Sequence, residues 1–254
     1  MERRGYDPLK TSEVLRNIVC IENRRRYYRF RGGRWYGGIA TADCVGCNLR
    51  CVFCWGWQVR DKPRSVGRFY TPQEVSRNLL QIAERKGYTQ VRISGNEPTL
   101  SWGHLLEVIG QIEAANLSFI LETNGILIGS DKSYARDLSK FSNLHVRVSI
   151  KGTSPQEFHV LTGAVPEAFY FQLKALENLL DYNVTAHPAV MVSFTEPGNV
   201  ERLKSMLADI DKTLVAEFEE EYVFLYPHVV KQLTKAGIRP RKAYAPDNIP
   251  EELV

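Results

Sequence analysis

Short apolar runs of strand length alternate with segments of helical periodicity from about residue 36 onward. The predicted strands are 36–42, 91–94, 118–122, 144–150, 184–194 and 221–226, the fifth being interrupted or ended by Pro188. The predicted helices are 72–87, 104–115, 134–141, 166–180 and 199–210. Six strand–helix units in series predict an α/β fold with a parallel sheet, because parallel strands need crossover connections. Such units close or partly close into a barrel, with functional loops at the carboxyl ends of the strands.

The clearest helix boundaries are at residues 71 and 87. Thr71 and Glu74 have the spacing of a capping box, and Pro72 occupies the first helical position. Gly87 predicts the end of the same helix.

Composition places the chain among ordinary globular proteins. Of its 254 residues, 44% are hydrophobic and 24% are charged, and the net charge of +4 does not require a nucleic-acid partner. No apolar run approaches the ~20 residues that span a bilayer. The first ten residues, MERRGYDPLK, lack the apolar core of a secretory signal. We therefore expect a cytoplasmic protein without a membrane span.

Four of the five cysteines lie within eleven residues, and Cys20 stands apart. Clustered cysteines in a reducing compartment indicate metal ligands before disulfides. Cys47, Cys51 and Cys54 are spaced by three and then two residues, which suits a loop folded over one cluster. A structural zinc site has two pairs separated by roughly a dozen or more residues. The sequence has no such second pair.

Three thiolate ligands on a four-iron cluster leave one iron without a protein ligand, and that iron can bind a substrate. Cys44 keeps an alternative open, in which all four clustered cysteines hold zinc or a closed cluster. We favour Cys44 as a buried small residue near the end of its strand, and Cys20 as a core thiol.

The segment 47–54, CNLRCVFC, matches the pattern CxxxCxΦC, where Φ is aromatic. It resembles the radical S-adenosylmethionine (SAM) superfamily, and the resemblance extends to about residue 230. The later motifs are similar to those of the activating enzymes of glycyl-radical enzymes. The resemblance implies a partial (β/α)6 barrel, a [4Fe-4S] cluster held by Cys47, Cys51 and Cys54, and SAM bound to the open iron. It also implies reductive cleavage of SAM and hydrogen abstraction by the 5′-deoxyadenosyl radical.

The family has a GGEP segment after the second core strand, where this chain has SGNEP. The resemblance implies that this loop binds the amino group of SAM through Gly95, Asn96, Glu97 and Pro98. Gly95 permits close approach and Pro98 stiffens the loop. Asn96 departs from the family pattern, and it tolerates positive φ better than most residues. Phe53 is expected to pack over the cluster or the adenine, and ordinary core packing is the alternative.

Two further loops carry polar residues that the resemblance assigns to SAM. In LETNG, Glu122 is expected to accept from the ribose hydroxyls, with Asn124 beside it. In VSIKG, Lys151 is expected to pair with the SAM carboxylate, and Ser149 shares its strand face. An acid solvated at a strand end and a snorkelling lysine are the alternatives.

Two histidines lie near these motifs. His228 follows Leu-Tyr-Pro, a context similar to that of a SAM-proximal histidine in the activating enzymes, and is the better candidate. His187 lies in the fifth strand. A structural role is the alternative for both.

The segment 23–35, NRRRYYRFRGGRW, contains six arginines and four aromatic residues. Such a segment could bind RNA through phosphate pairing and base stacking. We favour a hairpin that turns at Gly32-Gly33. The chain thus divides into an N-terminal basic and aromatic extension (1–35), a core domain (36–230) and a C-terminal tail (231–254) that wraps the surface or frays.

The sequence leaves the substrate open. We expect an enzyme that acts on a small molecule, peptide or RNA, and that receives electrons from a donor such as ferredoxin or flavodoxin. An activase that makes a glycyl radical on a partner protein is a second hypothesis. A zinc- or cluster-stabilised RNA-binding module is the non-enzymatic third.

Overall fold

The computed structural model describes residues 5–253. Residues 1–4, part of the segment considered above as a signal, and Val254 of the predicted tail lie outside the described residues. The helices are α1 Pro8–Val19, α2 Trp57–Arg60, α3 Pro72–Lys86, α4 Trp102–Ala114, α5 Ile126–Ser130, α6 Ser133–Leu138, α7 Pro155–Thr162, α8 Phe169–Asp181, α9 Pro197–Ile210, α10 Thr213–Ala216 and α11 Pro227–Ala236. The strands are β1 Cys20–Ile21, β2 Arg24–Gly33, β3 Ile39–Cys44, β4 Arg68–Tyr70, β5 Gln90–Ser94, β6 Ser118–Thr123, β7 Leu144–Ile150, β8 Ala186–Met191, β9 Glu219–Glu221, β10 Val223–Phe224 and β11 Ala243–Tyr244.

Six parallel strands form the centre of the molecule. They lie in the order β3-β5-β6-β7-β8-β9, and each pairs in parallel with the next. Helices form the crossovers, which confirms the predicted α/β fold of six strand–helix units. The carboxyl ends of all six strands meet at one edge of the sheet, which we call the carboxyl edge.

Local signals predicted several boundaries well. At α3, the Thr71 hydroxyl accepts from Glu74 N at 3.2 Å, and the Glu74 carboxylate accepts from Thr71 N at 2.7 Å. Gly87 ends the helix at φ +68°. The strand 144–150 has the predicted bounds.

The predicted turn at Gly32-Gly33 is wrong. Both glycines lie in β2 and pair with Ala40 and Ile39 of the antiparallel strand β3. The chain reverses instead over residues 34–38, where Tyr36 has a φ of +56°. The basic segment therefore contributes a strand to the same sheet as the core.

The fifth and sixth predicted strands also differ from expectation. β8 runs through Pro188 without a break. The sixth strand is split: Glu219–Glu221 pairs with β8, whereas Val223–Phe224 pairs with β11 in a separate two-stranded sheet. Part of the predicted tail is regular, since it completes α11 and supplies β11.

The two faces of the parallel sheet differ in chemistry. Alternate residues such as Ile93, Leu121 and Val148 join the apolar core with the covering helices. The opposite face carries polar side chains, and we call it the polar face. Its members include Thr41, Asp43, Arg92, Ser94, Glu122, Arg147, Ser149, Glu219 and Glu221. Within residues 5–253, no helix combines the length and apolar character that crossing a membrane requires.

Candidate functional site

The loop after β3 holds three cysteines at the carboxyl edge. Tight turns close this loop, because Cys54 N donates to Cys51 O at 3.2 Å and Trp57 N donates to Cys54 O at 3.3 Å. Val52 N donates to Leu161 O of α7 at 2.9 Å, which fastens the loop to the body of the protein. The thiols are free rather than joined in disulfides.

These thiols are costly to ionise when no cation is close to them. Burial, with a smaller effect from the neighbouring Cys54, raises the pKa of Cys51 to about 11 against the opposing effect of Lys151. Burial is also the main cause of the raised pKa of Cys47, and Cys51 and Cys54 add to it. The three sulfurs are therefore close enough to disfavour one another's ionisation. Coordination to a cationic centre removes that cost, because it stabilises the thiolates.

Cys44 is the last residue of β3 and is fully buried, as predicted. Cys20, in the short edge strand β1, is partly buried and packs against the smaller hydrophobic cluster, so it lies at the margin of the core rather than inside it.

The GNEP loop follows β5 and packs directly against the end of β3. Gly95 has a φ of +94°, and a Cβ there would come within 3.0 Å of the Cys44 backbone. The position therefore requires glycine. Asn96 is not among the described non-glycine residues with positive φ, so its replacement of the family glycine needs no left-handed backbone. Both polar atoms of its side chain are buried without a partner in the described part of the chain.

Glu97 is buried and fastens two loops together. Its Oε1 accepts from Thr99 N, Thr99 Oγ1 and Thr123 Oγ1 at 3.2, 2.6 and 2.7 Å. Its Oε2 accepts from Asn124 N at 2.9 Å. Pro98 follows at the start of a 3-10 turn. The Glu97 side chain is thus engaged in fixing the GNEP loop to the ETN segment.

Asn124 joins this assembly to the cysteine loop. Its Nδ2 donates to Asn48 Oδ1 at 2.7 Å and contacts Cys47 Sγ at 3.8 Å. Its Oδ1 accepts from Ile126 N at 3.1 Å, which fixes the orientation of the amide. Asn48 Nδ2 in turn donates to Ser12 Oγ of α1 at 3.0 Å.

Glu122 lies on the polar face, surrounded by donors. Its carboxylate accepts from Arg92 Nη1 at 2.5 Å, Tyr36 Oη at 2.9 Å and Ser94 Oγ at 2.7 Å. Burial opposes its charge, but Arg92 and Arg147 outweigh burial and lower its pKa to about 2. Because a carboxylate has about four acceptor positions, one remains for a ligand.

Lys151 sits among anions at the end of β7. Its Nζ contacts Ser149 Oγ and lies 3.2 Å from Glu221 Oε2, which also accepts from Ser149 Oγ at 2.7 Å. Burial opposes the charge of Lys151, but Glu221 and Cys51 outweigh it and raise its pKa. The ammonium group also stands over the Phe53 ring, 5.9 Å from the centroid. Phe53 packs against Phe194, which lies in the loop that precedes α9, and the two ring centroids are 5.6 Å apart.

The two histidines occupy different places. His228 Nε2 lies 2.9 Å from Trp55 O, and Trp57 Nε1 donates to His228 O at 3.3 Å, so the start of α11 adjoins the cysteine loop. His187 is the second residue of β8, away from the carboxyl edge. It contacts Glu219 and His145 at 3.0 and 2.5 Å.

A family model described as the radical SAM superfamily matches residues 43–204. The chain belongs to the radical SAM superfamily. This confirms the resemblance drawn from the cysteine motif. Members of the superfamily use a [4Fe-4S] cluster and SAM as cofactors.

Curated relatives of the chain include GTP 3′,8-cyclases. A probable GTP 3′,8-cyclase of Thermococcus kodakarensis is 30% identical over 157 residues, 61% of this chain and 47% of that protein. The GTP 3′,8-cyclase of Peptoclostridium acidaminophilum is 30% identical over 118 residues, 46% of this chain and 34% of that protein. The chain thus covers less than half the length of each of these relatives.

Solved structures share the fold. Streptococcus suis SuiB bound to S-adenosylmethionine has a TM-score of 0.57 at 17% identity, over 82% of this chain and 46% of SuiB. TYW1 with a lysine-pyruvate adduct has a TM-score of 0.53 at 15% identity, over 78% of this chain and 71% of TYW1.

The residues present fit the cofactors of a radical SAM enzyme. The donor set consists of three buried or half-buried thiols on one short loop, and Asn96 brings unpartnered polar atoms to the same edge. No group of three His, Cys, Asp or Glu side chains in residues 5–253 is arranged to hold a single metal ion. The cysteines of a cubane bind three different irons, so they do not surround one point.

Several residues that build this site were not predicted from the sequence. They are Ser12, Tyr36, Asn48, Arg92, Arg147, Gln172 and Glu221. Gln172 is fully buried on α8, donates to Asn124 O and Ser149 O, and accepts from Lys151 N. A glutamine on the apolar side of α8 was the one signal that could have found it, because buried amides need partners.

Proposed function

We propose that the chain binds a [4Fe-4S] cluster through Cys47, Cys51 and Cys54, cleaves SAM reductively and acts on a small-molecule substrate. When bound, the cluster would supply the electron for reductive cleavage of SAM to methionine and a 5′-deoxyadenosyl radical, which would abstract a hydrogen atom from the substrate. The observation that carries this proposal is the position of Asn124. It bonds the cysteine loop through its side chain and Glu97 of the GNEP loop through its backbone.

The polar groups at the carboxyl edge suit the parts of SAM. The backbone of residues 95–98 and the side chain of Asn96 offer hydrogen bonds to the amino group. Glu122 has one acceptor position for a ribose hydroxyl, since Arg92, Tyr36 and Ser94 occupy the others. Lys151 provides a positive charge for the SAM carboxylate. The same ammonium group also pairs with Glu221.

One aromatic side chain, Phe53, and one imidazole side chain, His228, complete the proposed SAM site. Phe53, held between Phe194 and Lys151, offers an apolar surface to the adenine or the cluster. His228 contacts Trp55 O through Nε2, which fixes the backbone after Cys54. An external one-electron donor, such as ferredoxin or flavodoxin, completes the reaction.

The experiment is anaerobic reconstitution with iron and sulfide, reduction by dithionite and quantification of 5′-deoxyadenosine. We expect 5′-deoxyadenosine and methionine in equal amounts. A fully loaded cluster that leaves SAM intact would overturn the proposal.

GTP is the first substrate to test, because the matched curated relatives are named GTP 3′,8-cyclases. Deuterium-labelled GTP should pass its label to 5′-deoxyadenosine if GTP loses the hydrogen atom. Absence of transfer, with SAM cleavage intact, would exclude GTP and leave the cleavage activity standing.

A further inference from the structure

The structure separates the six arginines of residues 24–34 into different roles. Arg25 and Arg26 donate to backbone carbonyl groups, and Arg25 is fully buried. Arg24 is exposed and lies 3.7 Å from Glu22. Arg34 stands over the Trp35 ring. Arg29 and Arg31 remain, and these two extend toward the carboxyl edge.

Arg29 and Arg31 share one buried carboxylate, that of Asp43. Arg29 Nε donates to Asp43 Oδ2 at 2.6 Å, and Arg31 donates to both oxygens at 2.8 and 3.3 Å. The Asp43 side chain is 0% exposed, whereas that of Arg29 is 45% exposed. Two guanidinium groups therefore face one carboxylate, which leaves one positive charge uncompensated among the side chains of residues 5–253 that pair with them.

Arg29 has donors to spare. Within the described part of the chain it bonds Asp43 through Nε, and its two terminal nitrogens carry four further N–H groups. Asp43 pairs in register with Ser94, the residue before Gly95. The two arginines therefore stand beside the GNEP loop, and Asp43 holds them in place before any ligand arrives.

Trp55 adds a planar surface to this pair. It directly follows Cys54, and its ring centroid is 5.7 Å from Arg29 Cζ. Its side chain is exposed, with 42% of the residue accessible. The contact between Trp55 O and His228 Nε2 fixes this part of the loop. An exposed indole thus adjoins a half-exposed guanidinium, one residue from a proposed cluster ligand.

We infer that Arg29, Arg31 and Trp55 form a substrate subsite for a nucleotide, with its phosphates on the arginines and its base on the indole. Guanidinium groups bind phosphate oxygens in pairs, and aromatic side chains stack on bases. This inference rests on the proposed function, because it gives the class of substrate for the same site. It also explains why the exposed aromatic residue and the spare donors occur together at the carboxyl edge.

The test uses the anaerobically reconstituted holoenzyme with SAM, and calorimetric titration with three probes. GTP carries both parts of the proposed ligand, guanosine lacks the phosphates, and tripolyphosphate lacks the base. Arg29→Gln should weaken GTP and tripolyphosphate binding about tenfold and leave guanosine unchanged. Trp55→Ala should weaken GTP and guanosine about tenfold and leave tripolyphosphate unchanged.

Arg24→Gln is the matched control, because Arg24 belongs to the same basic segment and pairs only with exposed Glu22 in the described structure. It should bind all three probes like the wild type. Equal affinities in the Arg29 and Arg24 variants, or no binding of GTP by a wild type that cleaves SAM, would overturn the subsite. Failure of the wild type to cleave SAM would instead overturn the proposed function. Thermal melts of both test variants verify that they fold.

Discussion

The side-chain amide of Asn124 lies 3.8 Å from the sulfur of Cys47, although the two residues belong to loops after different strands. The orientation of this amide is set by Ile126 N on one side and Asn48 on the other. An N–H group directed at a cysteine sulfur stabilises negative charge there. Such contacts are among the factors that set the potential of a cluster.

Asn124→Ala should therefore lower the midpoint potential of the reconstituted cluster. Loss of one hydrogen bond of about 1 kcal/mol corresponds to ~40 mV for a one-electron couple. Redox titration followed by electron paramagnetic resonance measures the shift. Asn78→Ala, an exposed site on α3, is the control. A potential equal to that of the wild type would show that Asn124 does not act on the sulfur.

The ligand assignment predicts opposite results for two neighbouring cysteines. Cys51→Ala should lose the cluster and the cleavage of SAM, because it removes one of three thiolates. Cys44→Ala should keep both, because Cys44 is a buried residue of β3. Iron and sulfide analysis after anaerobic reconstitution measures the difference. Loss of iron from the Cys44 variant would refute the assignment of three ligands.

Lys151→Met should weaken SAM binding without removing iron. A charged hydrogen bond contributes ~1.5–3 kcal/mol, so the dissociation constant should rise about tenfold or more. Anaerobic equilibrium dialysis with SAM measures it. The control is Lys174→Met, which removes an exposed lysine that pairs with Glu177 on α8. Unchanged affinity in the Lys151 variant would contradict its proposed role.

Glu97→Ala should destabilise the protein by ~3–5 kcal/mol, because it leaves the buried donors of Thr99, Thr123 and Asn124 without an acceptor. Urea unfolding of the purified protein measures the loss. Glu84→Ala, at an exposed position of α3, should change stability by less than about 0.5 kcal/mol. A similar small effect at Glu97 would mean that the two loops do not depend on this carboxylate.

Acid should unfold the protein partly through Glu122. Its pKa is lowered from 4.5 to about 2 in the folded state, so its contribution is complete above about pH 4.5 and is lost as the pH falls toward 2. The shift corresponds to ~3 kcal/mol at neutral pH. Glu122→Gln should remove this contribution and flatten the pH dependence of unfolding between pH 4.5 and 2. An unaltered pH profile would contradict the assignment.

The chain's local patterns predicted the main elements because their causes are local. Strand 144–150 follows from the alternation of apolar and polar residues, and α3 follows from the Thr71–Glu74 capping box and Gly87. The predicted turn at Gly32-Gly33 was wrong because strand pairing is not a local property. A glycine pair permits a turn, but pairing with β3 extends the strand through both residues.

The sequence by itself determined the order of the strand–helix units and the spacing of the three cysteines, and with them the superfamily. The tertiary structure decided which groups surround each polar side chain. Tyr36 and Arg92 reach Glu122, and Glu221 reaches Lys151 from 70 residues away. Those contacts depend on the register of six parallel strands, because register brings distant residues to the same level of one face. No local periodicity carries that information.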